Sequence, residues 1–147
     1  MNKTKYIILT LLMVLATSAS AKKVQVPHVY MFGFSASFQD STVYFTDIQD
    51  VQGAWIDKKT IFLLGRDNYS YQLSNYFNEQ GQANRVCMVI FSTSKSKTEK
   101  KYIKLRKKYM APDKKSKKKG KEAILTPYDI RYITQQDFKF TPVDMSE

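Results

Sequence analysis

The sequence predicts an α/β or α+β domain, a two-layer sandwich in which two helices pack on a mixed sheet of four to five strands. Three observations carry this. The run at 85–93, Arg-Val-Cys-Met-Val-Ile-Phe-Ser-Thr, is short, rich in branched and bulky side chains, and followed at once by a helix-start signal. It reads as a central strand buried on both faces. Residues 28–38 and 42–48 alternate with period two, as strands do. Residues 67–80 and 96–110 instead carry apolar side chains at helical spacing.

Residues 1–21 have the make-up of a secretory signal peptide. Lys3 and Lys5 give a positive start, residues 6–16 form an apolar stretch, and Thr17-Ser18-Ala19-Ser20-Ala21 ends in the A-x-A pattern of a cleavage site. The apolar stretch is shorter than the roughly 20 residues that a bilayer-spanning helix needs. No cysteine follows Ala21, which argues against a lipid-anchored form. The mature chain is expected to begin at Lys22, to form one domain over residues 22–147, and to reside in the periplasm or outside the cell. No segment of that mature chain reads as transmembrane. A lone cysteine, Cys87, excludes an internal disulfide, so stability must come from the core. Nine Phe, ten Tyr and one Trp supply the material for it.

Pro27 keeps the entry segment out of a central strand. In 28–38, Tyr30, Phe32, Phe34, Ala36 and Phe38 share one face, and Val29, Met31, Gly33, Ser35 and Ser37 the other. Gln39-Asp40-Ser41 is a turn, so 42–48 returns as a hairpin with aromatic side chains facing across the ladder. Gly53 breaks the next segment, and Trp55-Ile56 is an apolar anchor. Residues 60–64 are either a short strand, the preferred reading, or a helical turn. Asp67 serves as an N-cap, Tyr69, Leu73, Tyr76 and Phe77 form a buried stripe, and Gly81 closes the helix. Ser96 and Glu99 make a capping box for the second helix, which runs to about Met110 ahead of Pro112, with Tyr102, Leu105 and Tyr109 inward. Tyr128, Ile130 and Tyr132 line one face of a last strand. Residues 135–140 are irregular or a short edge segment, and the tail after Pro142 is loose. The strand–helix–strand order from 85 to 133 suggests a right-handed parallel crossover.

Charge is the feature that departs from background. After residue 21 there are 22 basic and 13 acidic residues, a net of +9. Residues 95–121 hold 14 of the basic residues and two acids, Glu99 and Asp113, a net of +12, which leaves the rest of the mature chain at −3. A slightly acidic body thus carries a cationic helix and a lysine-dominated loop at 113–123.

The signal peptide, Val-Tyr-Phe-Thr-Asp-Ile-Gln at 43–49, Leu-Leu-Gly-Arg-Asp at 63–67 and Asn-Arg-Val-Cys-Met-Val-Ile-Phe at 84–91 together resemble small exported proteins of Bacteroides-type bacteria. The resemblance implies an exported location and no particular activity.

No motif carries chemistry. CxxC, HExxH, GxSxG and P-loop patterns are absent from the sequence. His28 is the only histidine, and it stands without an identifiable nucleophile. Cys87 lies inside an apolar run, the setting of an inert thiol, although Arg85 shares its strand face. Asp40, Asp47, Asp50 and Asp57 lack the spacing of a calcium loop and read as turn residues. Tyr69, Tyr71 and Tyr76 could line a glycan or peptide platform, but the first and last belong to the buried stripe. Neither a cofactor nor a metal is expected.

The function that fits is an exported, non-enzymatic binding or interaction module. One alternative is a binder of polyanions or anionic surfaces through 95–121, using Lys97, Lys101, Lys104, Lys108, Lys114, Lys115, Lys117, Lys118, Lys119 and Lys121. The other is a small hydrolase with an unrecognised site, which would need a cleft bringing His28 or Cys87 near carboxylates. The expected partners are an anionic envelope surface, an acidic glycan or an acidic protein face. Nucleic acid is disfavoured, because no aromatic residue interleaves the lysines of 111–123.

Overall fold

Val29–Ala36 is the strand on which the fold is organised, in place of the apolar run near residue 90. The computed structural model describes residues 22–110 and 128–147. Its elements are β1 (Lys23–Gln25), β2 (Val29–Ala36), β3 (Thr42–Thr46), β4 (Gln49–Val51), β5 (Trp55–Asp57), α1 (Arg66–Glu79), β6 (Val86–Ser92), α2 (Lys95–Met110) and β7 (Asp129–Ile133). The signal-peptide stretch 1–21 and the loop 113–123, with Lys114, Lys115, Lys117, Lys118, Lys119 and Lys121, lie outside the described residues.

β2 pairs with β6 along its length, from Tyr30 opposite Ser92 to Ala36 opposite Val86. A strand has two edges, so β3 and β4 share the other one: β3 faces Phe34 and Ser35, and β4 faces Val29 to Met31. Between them the ladder breaks. There the Gly33 N–H donates to Thr46 Oγ1 at 2.8 Å, and the Thr46 hydroxyl donates on to Asp47 O at 2.9 Å. β7 runs parallel to β3 on its far side. This is the expected α+β class, with a mixed sheet of five strands and two helices, and β1 and β5 form a separate antiparallel pair. β6 and β7 point the same way with β2 and β3 between them, so α2 links two parallel strands that are not neighbours.

β6 is therefore an edge strand among the described residues, where a central one was expected. The run is apolar because different helices cover its two faces, not because strands flank it on both sides. Val89 packs into the cluster of Tyr69, Leu73 and Phe77 from α1. Ile90 packs with Phe32, Phe34 and Phe45, beneath Tyr102, Leu105 and Tyr109 of α2. Only Val89 of this strand is fully buried; Phe91 and Cys87 are half-buried, and Val86 and Met88 are exposed. Alternation on β2 sorts the same way, with Met31 and Gly33 toward α1 and Phe32 and Phe34 toward α2. The helices thus take opposite faces and make three layers where the sequence reading had two. Gly33 is what lets α1 sit close: a Cβ there would stand 2.5 Å from Leu73 Cδ2.

Both helix starts differ from expectation. α1 begins at Arg66 behind Gly65, whose φ of 67° is left-handed and sets the start without a side-chain cap. Asp67 lies within the first turn, where its charge suits the helix dipole. Gly81 does close α1: Gln82 N–H reaches Phe77 O and Gly81 N–H reaches Asn78 O, the paired bonds of a Schellman stop. The cap of α2 stands two residues before the expected Ser96, because Ser94 Oγ accepts from Lys97 N–H at 3.4 Å and the helix begins at Lys95. Thr98, fully buried, donates to Tyr30 O at 3.0 Å and moors the first turn to the sheet. Residues 60–64 form no strand; a single bridge joins Leu63 to Ile56, and Ile61 has a positive φ of 57°.

The C-terminal segment also differs from expectation. Phe138 and Phe140 are buried against α1, with Tyr76 and Tyr69 as ring neighbours at 5.4 and 6.2 Å. Gln49 and Gln72 each hold this segment by both ends of the side-chain amide. The tail beyond is held too, since Val143 N–H donates to Tyr69 Oη at 3.0 Å and Lys23 Nζ donates to Glu147 O.

Candidate functional site

α2 has one acid, Glu99, among sixteen residues. At 100° per residue, Thr98, Tyr102, Leu105 and Tyr109 fall in one arc, and these are the side chains that meet the sheet. Lys97, Lys101, Lys104 and Lys108 form the adjoining arc on the side of β6, all exposed, over roughly 16 Å of helix. Glu99 lies about 160° around the helix from Lys101. Four of the predicted binding lysines are thus brought into one stripe. The other six fall outside the described residues.

Beside that stripe is an open slot of ≈ 500 Å³ between α2 and β6. Met88, Ile90 and Leu105 line it, together with Lys101, Lys104 and Lys108. It exists because β6 is an edge strand whose apolar side chains on this face extend beyond the cover of α2. Lys101 Nζ closes one end by donating to Phe91 O at 2.9 Å, 5.9 Å from the Phe91 ring centre. The outer edge of β6 is also engaged further along: Arg66 donates twice to Val89 O, at 2.9 and 3.2 Å. Cations thus occupy two carbonyls of an edge strand that could otherwise recruit another chain.

A larger hollow of ≈ 670 Å³ lies at the start of α1, lined by Phe62, Gly65, Asn68, Cys87 and Met88 among others. Ser70 and Cys87 both line it, and the thiol is poorly suited to reaction. Burial pushes the Cys87 thiol above its ordinary range, and the Ser35 hydroxyl and the Arg85 charge offset that only in part. A thiol so held stays protonated at neutral pH, and the thiolate is the reactive form. Arg85 itself has a structural role that the sequence did not reveal. Its buried guanidinium bonds Ser35 Oγ and Thr42 O, pairs with Asp40 at 3.2 Å, and stacks 4.8 Å from the Tyr44 ring centre.

His28 pairs with Asp50 at 2.9 Å and stacks on Tyr30. The carboxylate only accepts, so the Nδ1–H donates to it. This is two-thirds of an acid–base relay. Among the described residues no hydroxyl or thiol hydrogen-bonds to His28, and neither the slot nor the hollow is lined by it. Cys87 belongs to the opposite, α1-facing side of the sheet, so the two candidate groups of a hydrolase are not brought together. The aspartates are dispersed: Asp40 serves Arg85, Asp47 accepts from Gln135 N–H, Asp50 holds His28, and Asp57 caps a turn at Lys59. No three His, Cys, Asp or Glu side chains gather in metal-holding geometry among the described residues. Tyr69 is buried, Tyr76 half-buried and Tyr71 exposed, so the three make no shared platform. No described helix is long and apolar enough to cross a membrane.

A scan of protein families gives no match to this chain, and neither curated proteins nor solved structures yield one.

Proposed function

We propose that this protein is an exported, non-enzymatic binding module that engages anionic surfaces through the outer face of α2. The observation that carries the reading is the stripe of Lys97, Lys101, Lys104 and Lys108, exposed, aligned and without an intervening acid. The ordinary alternative is a solvated face that serves solubility alone. Four ammonium groups along about 16 Å of helix repel one another, and a counter-charged partner relieves that. At physiological salt the screening length is about 8 Å, so only close contacts contribute and binding is salt-sensitive.

Retention on immobilised heparin and on anionic vesicles across a salt series tests this. Wild-type protein should be retained at low salt and released as salt rises. Changing Lys97, Lys104 and Lys108 to Gln, and leaving Lys101 on Phe91 O, should shift release to clearly lower salt without altering the thermal midpoint. Unchanged retention in that variant would leave the stripe a solubilising face. Export rests on the composition of residues 1–21, and protein recovered from the host's envelope or medium should begin at Lys22. Recovery of protein that still begins at Met1 overturns the exported location.

A further inference from the structure

We propose that the slot between β6 and α2 binds a long-chain carboxylate, with its acid group against Lys104 and Lys108 and its hydrocarbon chain along Met88, Ile90 and Leu105. The inference rests on the anionic-partner reading above and narrows it to one chemical class. The slot combines two features that no purely polar partner would use together. Its floor is apolar, and Met88 remains 39% exposed on an edge strand with nothing packed over it among the described residues. Its rim carries three ammonium groups and, among the described residues, no carboxylate. A sulfated glycan would satisfy the rim and leave the floor wet. A neutral apolar ligand would satisfy the floor and leave the charges unmatched.

The edge of β6 argues against a peptide. A chain adding as a strand needs the outward carbonyls of β6, and those of Val89 and Phe91 are already held by Arg66 and Lys101. Val86, Met88 and Ile90 alternate onto the same face, so the apolar floor continues past the slot toward the start of the strand. Along a strand that spacing is about 13 Å, enough to lie beneath an extended alkyl chain. A volume of ≈ 500 Å³ is within the range of about 300–1,000 Å³ typical of small-molecule sites. Lys104 and Lys108, one helical turn apart, are placed to bracket a single carboxylate. Lys101, fixed on Phe91 O, keeps further N–H donors for the same acid.

The test is calorimetric titration of the full chain with hexanoate, decanoate and tetradecanoate, each below its micelle concentration. A fully buried methylene is worth about fourfold in affinity, so even partial seating predicts at least tenfold tighter binding from six to fourteen carbons. Met88→Asn should remove most of that chain-length gain, while its retention on heparin and its thermal midpoint stay as in wild type. Lys104→Gln with Lys108→Gln should weaken all three acids together. Affinity that does not change with chain length overturns the slot as a chain site. If heparin retention persists in that case, the broader anionic-surface reading stands. Binding to anionic vesicles with none to the free acids likewise overturns the slot and points to the bilayer surface. Loss of both heparin retention and acid binding overturns both readings.

Discussion

Phe45→Ala is expected to destabilise the domain by about 3–5 kcal/mol, the range for emptying a fully buried aromatic position. Phe45 has no solvent exposure and stands where β2, α2 and β7 converge. Its ring centre lies 5.1 Å from that of Phe34, 5.6 Å from Tyr102, 6.4 Å from Tyr109 and 6.3 Å from Tyr132. Such pairs contribute roughly 0.5–1.5 kcal/mol each beyond the area they bury, and no neighbour can move into the gap without losing its own partners. Phe91→Ala is the comparison. Phe91 is half-buried at the sheet edge, beside Phe62 and the cations Arg66 and Lys101, so water can enter where its ring was. Urea midpoints by circular dichroism should fall much further for Phe45→Ala. A larger shift for Phe91→Ala would restore β6 as the centre of the sheet and overturn the topology.

The same contrast shows what the sequence could and could not convey. Element types were legible wherever a period was long and clean. The alternation over 29–36, the stripe of Tyr69, Leu73 and Phe77, and the inward set Tyr102, Leu105 and Tyr109 pack as the spacing implied, whereas Phe38, read on the same face as Phe34, falls beyond β2 and is exposed. Sheet order was not legible. An apolar run such as 86–91 looks the same whether strands lie on both sides or helices cover both faces, because periodicity reports burial and not the identity of the neighbour. Helix starts failed for a different reason. Ser94, Ser96 and Asp67 are all competent caps, and the choice among them was made by tertiary contacts, the Thr98 mooring in one helix and the left-handed Gly65 in the other.

The candidate site divides along the same line. Lysine density was plain in the sequence, and helical spacing alone aligns Lys97, Lys101, Lys104 and Lys108. The apolar slot beside them was hidden, since it is formed by residues some fifteen positions apart and only because β6 lies at an edge. Arg85 was hidden too. An arginine at the head of an apolar run gives no sign of its partners, yet this one has a buried side chain, and its fork spans a hydroxyl, a carbonyl and a carboxylate.

Gln49→Leu is expected to cost roughly 2–6 kcal/mol and to loosen the C-terminal segment, from orphaning two buried backbone groups at about 1–3 kcal/mol each. Gln49 is 1% exposed, at the head of β4. Its Nε2 donates to Phe138 O at 2.9 Å and its Oε1 accepts from Phe140 N–H at 2.8 Å, so one side chain replaces the neighbouring strand that this segment lacks. Leucine fills similar space but satisfies neither group. The segment must then keep a dry N–H and C=O or lift into water, withdrawing Phe138 and Phe140 from Tyr76 and Tyr69. Gln72 supplies the control, because its amide makes the same two bonds to Thr141, both at 2.9 Å, in a solvent-exposed setting. Water can replace those bonds, and Gln72→Leu should cost under about 1 kcal/mol. Hydrogen exchange at the Phe140 amide reads the clamp directly: its protection should collapse in Gln49→Leu and persist in Gln72→Leu. Equal costs for the two variants, or retained Phe140 protection in Gln49→Leu, would mean that aromatic burial alone holds the segment in place.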